Sequence, residues 1–136
     1  MLKKKSEFFS GTGRRKRSVA RVWLYDEKGE ITINDKLASE FFTNQEDTLE
    51  WVKPFHAVGV SHPQAKFSAT IKVHGGGKVG QVEAVRLGIA RALIRFSPDF
   101  KGILRSTGLV TRDSREKERK KPFLRGARGR PQYSKR

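Results

Sequence analysis

Residues 66–96 hold the two clearest periodic patterns in the sequence, and together they limit the choice of fold most. Apolar and polar residues alternate through 66–74, which predicts a strand with one buried face. Its inward residues are Phe67, Ala69, Ile71 and Val73. Three glycines follow, and apolar residues then recur at spacings of three and four, which predicts a helix of about 18 residues. This apolar stripe consists of Val79, Val82, Val85, Ile89, Leu93 and Phe96. The domain therefore combines strands with helices.

Two more strands are predicted upstream. Residues 18–25 alternate, with Ala20, Val22 and Leu24 on one face. A turn at 26–29 leads into residues 30–34, and the two strands are predicted to pair as a hairpin with a short, glycine-containing loop. The glycine-hinged basic cluster at 11–17 leads directly into the first of them.

Two helices are predicted between these strands and the strand at 66–74. Asn34 or Asp35 can cap the first, because both side chains accept hydrogen bonds from free N–H groups at a helix start. The second starts at Asp47 or Thr48, and Pro54 breaks or kinks it.

A last helix is predicted after residue 96. Ser97 and Pro98 provide a cap and a first-turn proline, and Gly108 ends the helix. Its buried residues are predicted to be Phe100, Ile103 and Leu104. Residues 115–121 can add an edge strand in which alternating charges hide the pattern.

The net charge of +16 is distributed unevenly along the 136 residues. Residues 1–21 have a net charge of +7, residues 22–111 one of +1 and residues 112–136 one of +8. Positive charge gathered at both ends is typical of a nucleic-acid-binding protein. Within the centre, residues 22–65 hold 3 basic and 8 acidic residues, so this region is predicted to face away from phosphates and to bind other proteins.

The residues after Lys121 follow neither a strand nor a helix period, and their glycines and prolines interrupt any helix. Residues 122–136 are therefore predicted to form an extended basic tail with a reach of about 50 Å.

Several classes of function are disfavoured. The sequence has no cysteine, which excludes disulfides, thiolate metal sites and a thiol nucleophile. It offers neither a transmembrane run nor a secretory signal, and no amphipathic helix suited to a membrane surface. His56, His62 and His74 do not share a face at metal-ligand spacing, so we expect no metal site. The sequence also has no G-x-S-x-G motif and no paired-carboxylate cluster in an apolar stretch, so we expect no enzymatic activity and no cofactor.

Residues 75–80 match the G-x-G-x-x-G pattern between a strand and a helix. A dinucleotide site is disfavoured, because a second parallel strand should follow the helix and a short helix is predicted there instead. Two interpretations stay open. The glycines and Lys78 form an anion site at the helix N-terminus, or the glycines only permit a tight turn and close packing.

Three separated motifs resemble the universal small-subunit ribosomal protein number nine family, of bacterial type. The glycine-rich segment and helix at 75–93 look like its central signature, and residues 11–16 like its N-terminal motif. Residues 111–113 and 118–121 with the terminal 130–136 complete the resemblance, which covers nearly all of 11–136.

The resemblance implies an α/β fold of the α+β type, a small sandwich of a mixed, mostly four-stranded sheet with helices on one face. It also implies a left-handed β-α-β crossover, which the general rule on handedness would not predict. The expected organisation is an N-terminal extension at 1–10, a ribosomal domain at 11–121 and the tail at 122–136.

The family also implies a structural role in the ribosome, cytoplasmic or organellar. The expected partners are the 3′ major domain of the small-subunit rRNA, neighbouring proteins of the subunit head and tRNA at the peptidyl site. The residues expected to bind rRNA are Arg14, Arg15, Lys16, Arg17, Arg21, Lys78, Arg112, Arg115, Lys117, Arg119, Lys120, Lys121, Arg125, Arg128 and Arg130. Those expected to contact tRNA are Ser134, Lys135 and Arg136. The rival interpretations are a free-standing basic binder, such as a chromatin-like or antiterminator protein, and a nucleotide-binding enzyme.

Overall fold

The computed structural model describes residues 8–60, 63 and 66–110. A five-stranded mixed sheet with helices on one face forms this part of the protein. The strands are β1 (Phe8–Arg15), β2 (Ser18–Tyr25), β3 (Ile31–Ile33), β4 (Lys36–Leu37) and β5 (Ser68–His74). The helices are α1 (Ala38–Phe41), α2 (Gln45–Ala57), α3 (Lys78–Phe96) and α4 (Phe100–Ser106). This architecture confirms the predicted α+β class.

The order of the strands across the sheet is β1-β2-β5-β3-β4. Only the β3–β5 pair is parallel, and the other three pairs are antiparallel. The parallel strands are joined through β4, α1 and α2, which makes them the β-α-β unit of the sheet. The left-handed sense of that crossover stays a prediction.

The sequence pattern revealed neither the short strand β4 nor β1, which is the edge strand next to β2. Gly11 and Gly13 occupy the inward positions of β1, so the strand has no apolar alternation to detect. Phe8 already pairs with Tyr25, three residues before the predicted start of the domain at residue 11. Residues 11–15 are therefore part of the sheet and not a hinge.

The predicted hairpin between residues 18–25 and 30–34 is wrong. β2 pairs with β1 and β5, and β5 lies between β2 and β3. The turn pattern at 26–29 is real, but a local turn signal does not determine which strand becomes the neighbour. That choice depends on residues distant in the sequence.

Asn34 and Asp35 do not cap a helix. Both have positive φ angles, 50° and 66°, and they form the two-residue turn between β3 and β4. The Asn34 side chain also completes the edge of β5, because its Nδ2 donates to Val73 O and its Oδ1 accepts from Val73 N, each at 2.9 Å. The first helix therefore starts later, at Ala38.

The second helix starts earlier than predicted and continues past its proline. Asn44 caps it, with Oδ1 accepting from Glu46 N at 3.1 Å. Pro54 is buried within the helix, which extends to Ala57. The helix therefore does not break at Pro54, and a kink at this proline stays a prediction.

The core lies between the helices and one face of the sheet. The predicted inward residues of β2 and β5 are all buried there, as are Val82, Val85, Ile89 and Leu93 of α3. Val79 is 68% exposed, because the first turn of α3 follows the glycine turn beyond the edge of the core. In α4, Leu104 is fully buried as predicted, whereas Ile103 is 47% exposed on the solvent side of the helix.

The closest packing in the domain is between β1 and α3. A Cβ added at Gly11 would overlap the carbonyl oxygen of Gly88, and one added at Gly13 would overlap the carbonyl oxygen of Ala84. Arg91 Nη1 also donates to the carbonyl oxygen of Thr12 at 2.6 Å. Strand and helix backbones therefore touch directly, which only glycine permits at these positions.

Candidate nucleic-acid interface

The basic cluster at 14–17 lies at the turn between β1 and β2. Lys16 adopts a positive φ of 54°, which reverses the chain in two residues. Arg14, Lys16 and Arg17 are exposed. None of these three cations has a carboxylate partner within the described residues.

Arg15 behaves differently from its three neighbours. Its side chain points inward and is only 12% exposed, and its Nε donates to Glu83 Oε2 of α3. This ion pair fastens the turn to α3. Of the four cations predicted to bind nucleic acid here, three face solvent and the fourth holds the turn in place.

The glycine-rich segment 75–77 lies directly beside this turn. Ser18, which is fully buried, donates from Oγ to the carbonyl oxygen of Gly75 at 3.0 Å. Gly75 and Gly76 have φ angles of 76° and 62°, and a Cβ on Gly76 would overlap Ser18 Oγ. The β1–β2 turn and the glycine-rich segment are distant in the sequence, yet the contacts of Ser18 with Gly75 and Gly76 constrain the backbone of both. Tight turning and close packing therefore explain Gly75 and Gly76, whereas a Cβ added at Gly77 would meet no atom within 4 Å.

The N-terminus of α3 opens at the same end of the domain. Gly77 occupies the cap position and provides no side-chain acceptor for the first N–H groups. Lys78 is exposed, with Nζ 3.8 Å from Asp47 Oδ2 of α2. α3 is followed by α4 in the described residues, so the structure does not supply the parallel strand that a dinucleotide-binding unit requires.

Arg21 projects from the middle of β2 on the sheet face opposite the helices. Its register partner on β5 is Lys72, a basic residue that sequence reasoning missed. Lys72 Nζ lies 3.8 Å from Asp35 Oδ2. The only sequence signal for Lys72 was its outward position in an alternating strand.

Charge is divided between the two ends of the sheet. The turn with Arg14, Lys16 and Arg17 lies at one end of β2, whereas Asp26, Glu27 and Glu30 lie at the other. Eight residues of strand separate the ends by about 25 Å. The described domain therefore carries exposed positive charge at the β1–β2 turn and exposed negative charge at the opposite end of β2. The end with the turn is suited to bind a polyanion.

The acidic face of α2 is partly neutralised by its own neighbours. Glu50 accepts from Lys53 Nζ at 2.7 Å and from Arg86 Nη1 of α3 at 2.8 Å. The hydrogen bond from Lys53 is the main reason that the pKa of Glu50 is lowered. Burial opposes it as the second-largest effect, and the charges of Lys53 and then Arg86 add to the lowering. Glu50 therefore stays ionised at neutral pH and joins α2 to α3.

The predicted site residues from Arg112 to Arg136 lie outside the described residues, as does the edge strand predicted at 115–121. The described part ends at Leu109, which is buried, and Val110, which packs against the core. An open cavity of about 460 Å³ lies beside Leu109 and is lined by Lys53, His56 and Arg86 among others. The last described residues thus lie beside basic side chains of α2 and α3.

Two further features of the described residues bear on function. No helix in that part of the chain is long and apolar enough to cross a membrane. Within the same ranges, no group of three or more histidine or acidic side chains is arranged to hold a metal ion.

The family model of ribosomal protein S9/S16 matches residues 13–136. The match includes the β1–β2 turn, the glycine-rich segment, all of α3 and the basic C-terminal residues. It favours the ribosomal interpretation over a free-standing basic binder or a nucleotide-binding enzyme. On the strength of this match and of the fold, the chain belongs to the ribosomal protein S9/S16 family.

Proposed function

We propose that this protein binds the 3′ major domain of small-subunit rRNA through the exposed cations of its β1–β2 turn and through its basic tail. As a member of the S9/S16 family it is a structural constituent of the small ribosomal subunit and binds rRNA. The observation that supports the turn as a contact is that Arg14, Lys16 and Arg17 are exposed and have no carboxylate partner in the described residues. Such cations gain most from phosphate, since no internal ion pair must be broken first.

The remaining predicted contacts are part of the same proposal. Arg21 and Lys78 lie on the same basic half of the domain, and Arg15 contributes by holding the turn against Glu83. The basic residues after position 111, in the end of the domain and in the tail, would add further rRNA contacts: Arg112, Arg115, Lys117, Arg119, Lys120, Lys121, Arg125, Arg128 and Arg130. Ser134, Lys135 and Arg136 would then contact tRNA at the peptidyl site. The acidic region at 22–65 would face neighbouring proteins of the subunit head.

Replacing Arg14, Lys16 and Arg17 together by glutamine tests the contribution of the turn. We expect binding of the full chain to its rRNA fragment to weaken about tenfold at moderate salt, and the slope of log K against log salt to become shallower by about 2 to 3. Filter binding or fluorescence anisotropy over a salt series measures both.

A matched control removes the same charge elsewhere. Lys28, Lys101 and Arg105 are exposed and lie away from the turn, so replacing these three by glutamine should change the slope much less. Equal effects of the two triple variants would show that only net charge matters and that the turn is not a contact.

Deleting Ser134, Lys135 and Arg136 tests the tip of the tail. We expect subunits containing the shortened chain to assemble normally but to bind peptidyl-site tRNA up to about tenfold more weakly, since exposed charge-assisted contacts are screened by solvent. Lys28→Gln is the control: it removes an exposed charge at the turn 26–29 and should retain full tRNA affinity. Unchanged tRNA affinity in the truncated subunits would contradict the tRNA contact, and failed assembly would show that the tip has a structural role.

A further inference from the structure

The sheet face opposite the helices is not covered by any element of the described residues. Inward positions of β2 and β5 are buried, whereas the outward positions between them are partly or fully exposed. The outward positions of β1, β2 and β5 hold aromatic, basic and hydroxyl side chains, among them Phe8, Arg21, Trp23, Tyr25, Thr70 and Lys72. A face that is uncovered in the described residues and holds several aromatic and basic side chains is suited to bind a ligand.

Trp23 lies at the centre of this face. Its register partners are Ser10 on β1 and Thr70 on β5, and Thr32 of β3 follows next across the sheet. All three neighbours are short and polar, so no large side chain lies directly opposite the indole, which is partly exposed. A partly exposed ring between hydroxyl groups can stack on a planar ligand while the hydroxyls bind the edges of that ligand.

The row next to Trp23 contains two like charges. Arg21 and Lys72 are direct register partners on adjacent antiparallel strands, and both are exposed. Like charges directly opposite each other on a sheet are destabilising. Asp35 offsets this only in part, since its carboxylate is 3.8 Å from Lys72 Nζ and is itself highly exposed. An anion bound between Arg21 and Lys72 would remove the repulsion.

Along β2, the side chains on this face change from basic at one end to aromatic at the other. Arg14 and His74 flank Val19 at the basic end, Arg21 and Lys72 come next, then Trp23, and finally Tyr25. The ring of Phe8 packs edge-on against Tyr25, with centroids 6.4 Å apart. Within one nucleotide, the basic side chains are suited to bind the phosphate, and the partly exposed indole ring is suited to stack on the base. A duplex fits poorly, because its bases are already stacked on one another and would leave Trp23 without a partner.

We propose that this open face binds unpaired nucleotides of RNA, with Trp23 stacking on a base while Arg21 and Lys72 bind the adjoining phosphate. The inference depends on the rRNA binding proposed above. It adds a second contact surface to the β1–β2 turn, and it assigns functions to Trp23 and Lys72. Single-stranded loops, bulges and ends offer the splayed bases that such a surface needs.

The fluorescence of Trp23 itself reports whether a base stacks on its ring. The protein has two tryptophans, and Trp51 is only 5% exposed, so Trp51→Phe in the full chain leaves Trp23 as the single fluorophore. Titration with an unstructured oligouridylate of about ten nucleotides should quench this fluorescence. An RNA duplex of equal length should bind through phosphates and quench much less. The wild-type chain and its Trp23→Phe variant provide the same comparison with Trp51 intact.

Substitutions separate stacking from charge. Trp23→Ala should weaken binding of the oligouridylate about tenfold, whereas Trp23→Phe should retain most of the affinity because the aromatic face remains. Replacing Arg21 and Lys72 by glutamine should make the salt dependence shallower and leave duplex binding less affected. Circular dichroism of each variant checks that the sheet is intact.

Each alternative result has a distinct meaning. If a labelled oligouridylate binds but Trp23 fluorescence does not change, the inference is overturned while rRNA binding through the turn and tail stands. If no RNA binds the full chain, the proposed function fails as well. If Trp23→Ala leaves RNA affinity unchanged but assembled subunits lose a neighbouring protein, the face is a protein interface and the inference is again overturned.

Discussion

Gly13→Ala is expected to lower the free energy of unfolding by about 3 kcal/mol or more. A Cβ at this position would overlap the carbonyl oxygen of Ala84 and lie 2.5 Å from the Gly88 nitrogen. Both obstacles belong to the backbone of α3, so no side chain can rotate away to make room. Since β1 and α3 must then move apart, the midpoint of thermal unfolding should fall by on the order of 10 °C.

Gly102→Ala is the matched control for this prediction. Gly102 lies inside α4, and a Cβ added there would meet no atom within 4 Å. Alanine should therefore stabilise the protein slightly, by up to about 1 kcal/mol, because it favours the helix more than glycine does. Thermal unfolding followed by circular dichroism measures both variants. Similar stability of the two variants would contradict the direct contact between β1 and α3.

The same contact has a functional consequence. β1 leads into the turn that presents Arg14, Lys16 and Arg17, and Arg15 is held by Glu83 on α3. Gly13→Ala should therefore weaken RNA binding at temperatures where most of the protein is still folded, since the turn is no longer fixed against the helix.

Phe67→Ala is expected to cost about 3–5 kcal/mol of stability, the usual range for removing a buried phenylalanine. Phe67 is fully buried, and its ring is 5.1 Å from that of Phe96 and 5.9 Å from that of Phe55. Phe96 in turn contacts Phe9 of β1 and Phe100 of α4. The ring of Phe67, directly before β5, thus contacts α2 and α3, and it is linked to β1 and α4 through Phe96.

Phe8→Ala provides the comparison for Phe67. Phe8 is 51% exposed and touches mainly the edge of Tyr25, so its removal should cost about 1 kcal/mol or less. Urea unfolding of the two variants yields the free energies directly. A cost for Phe67→Ala no larger than that for Phe8→Ala would show that the aromatic cluster does not organise the core.

Local periodicity predicted the elements that have one apolar face. The inward residues of β2 and β5 and the stripe of α3 from Val82 onward were all found correctly, because each alternation or three-to-four spacing reports burial of a single face. The charge pattern and three motifs in the right order also pointed to the family before any fold was considered. Each of these patterns is read along the chain, and none required knowing which distant residues contact each other.

Tertiary structure decided whatever depended on residues far apart. β1 has glycines where a strand normally shows apolar residues, so only its contact with α3 reveals it. Insertion of β5 between β2 and β3 cannot be read from a turn at 26–29. Arg15 looks the same as Arg14 in the sequence, yet Glu83 draws it inward while Arg14 faces solvent. Local composition determines which residues are apolar or charged, but the approach of two distant backbones determines which of them face the core.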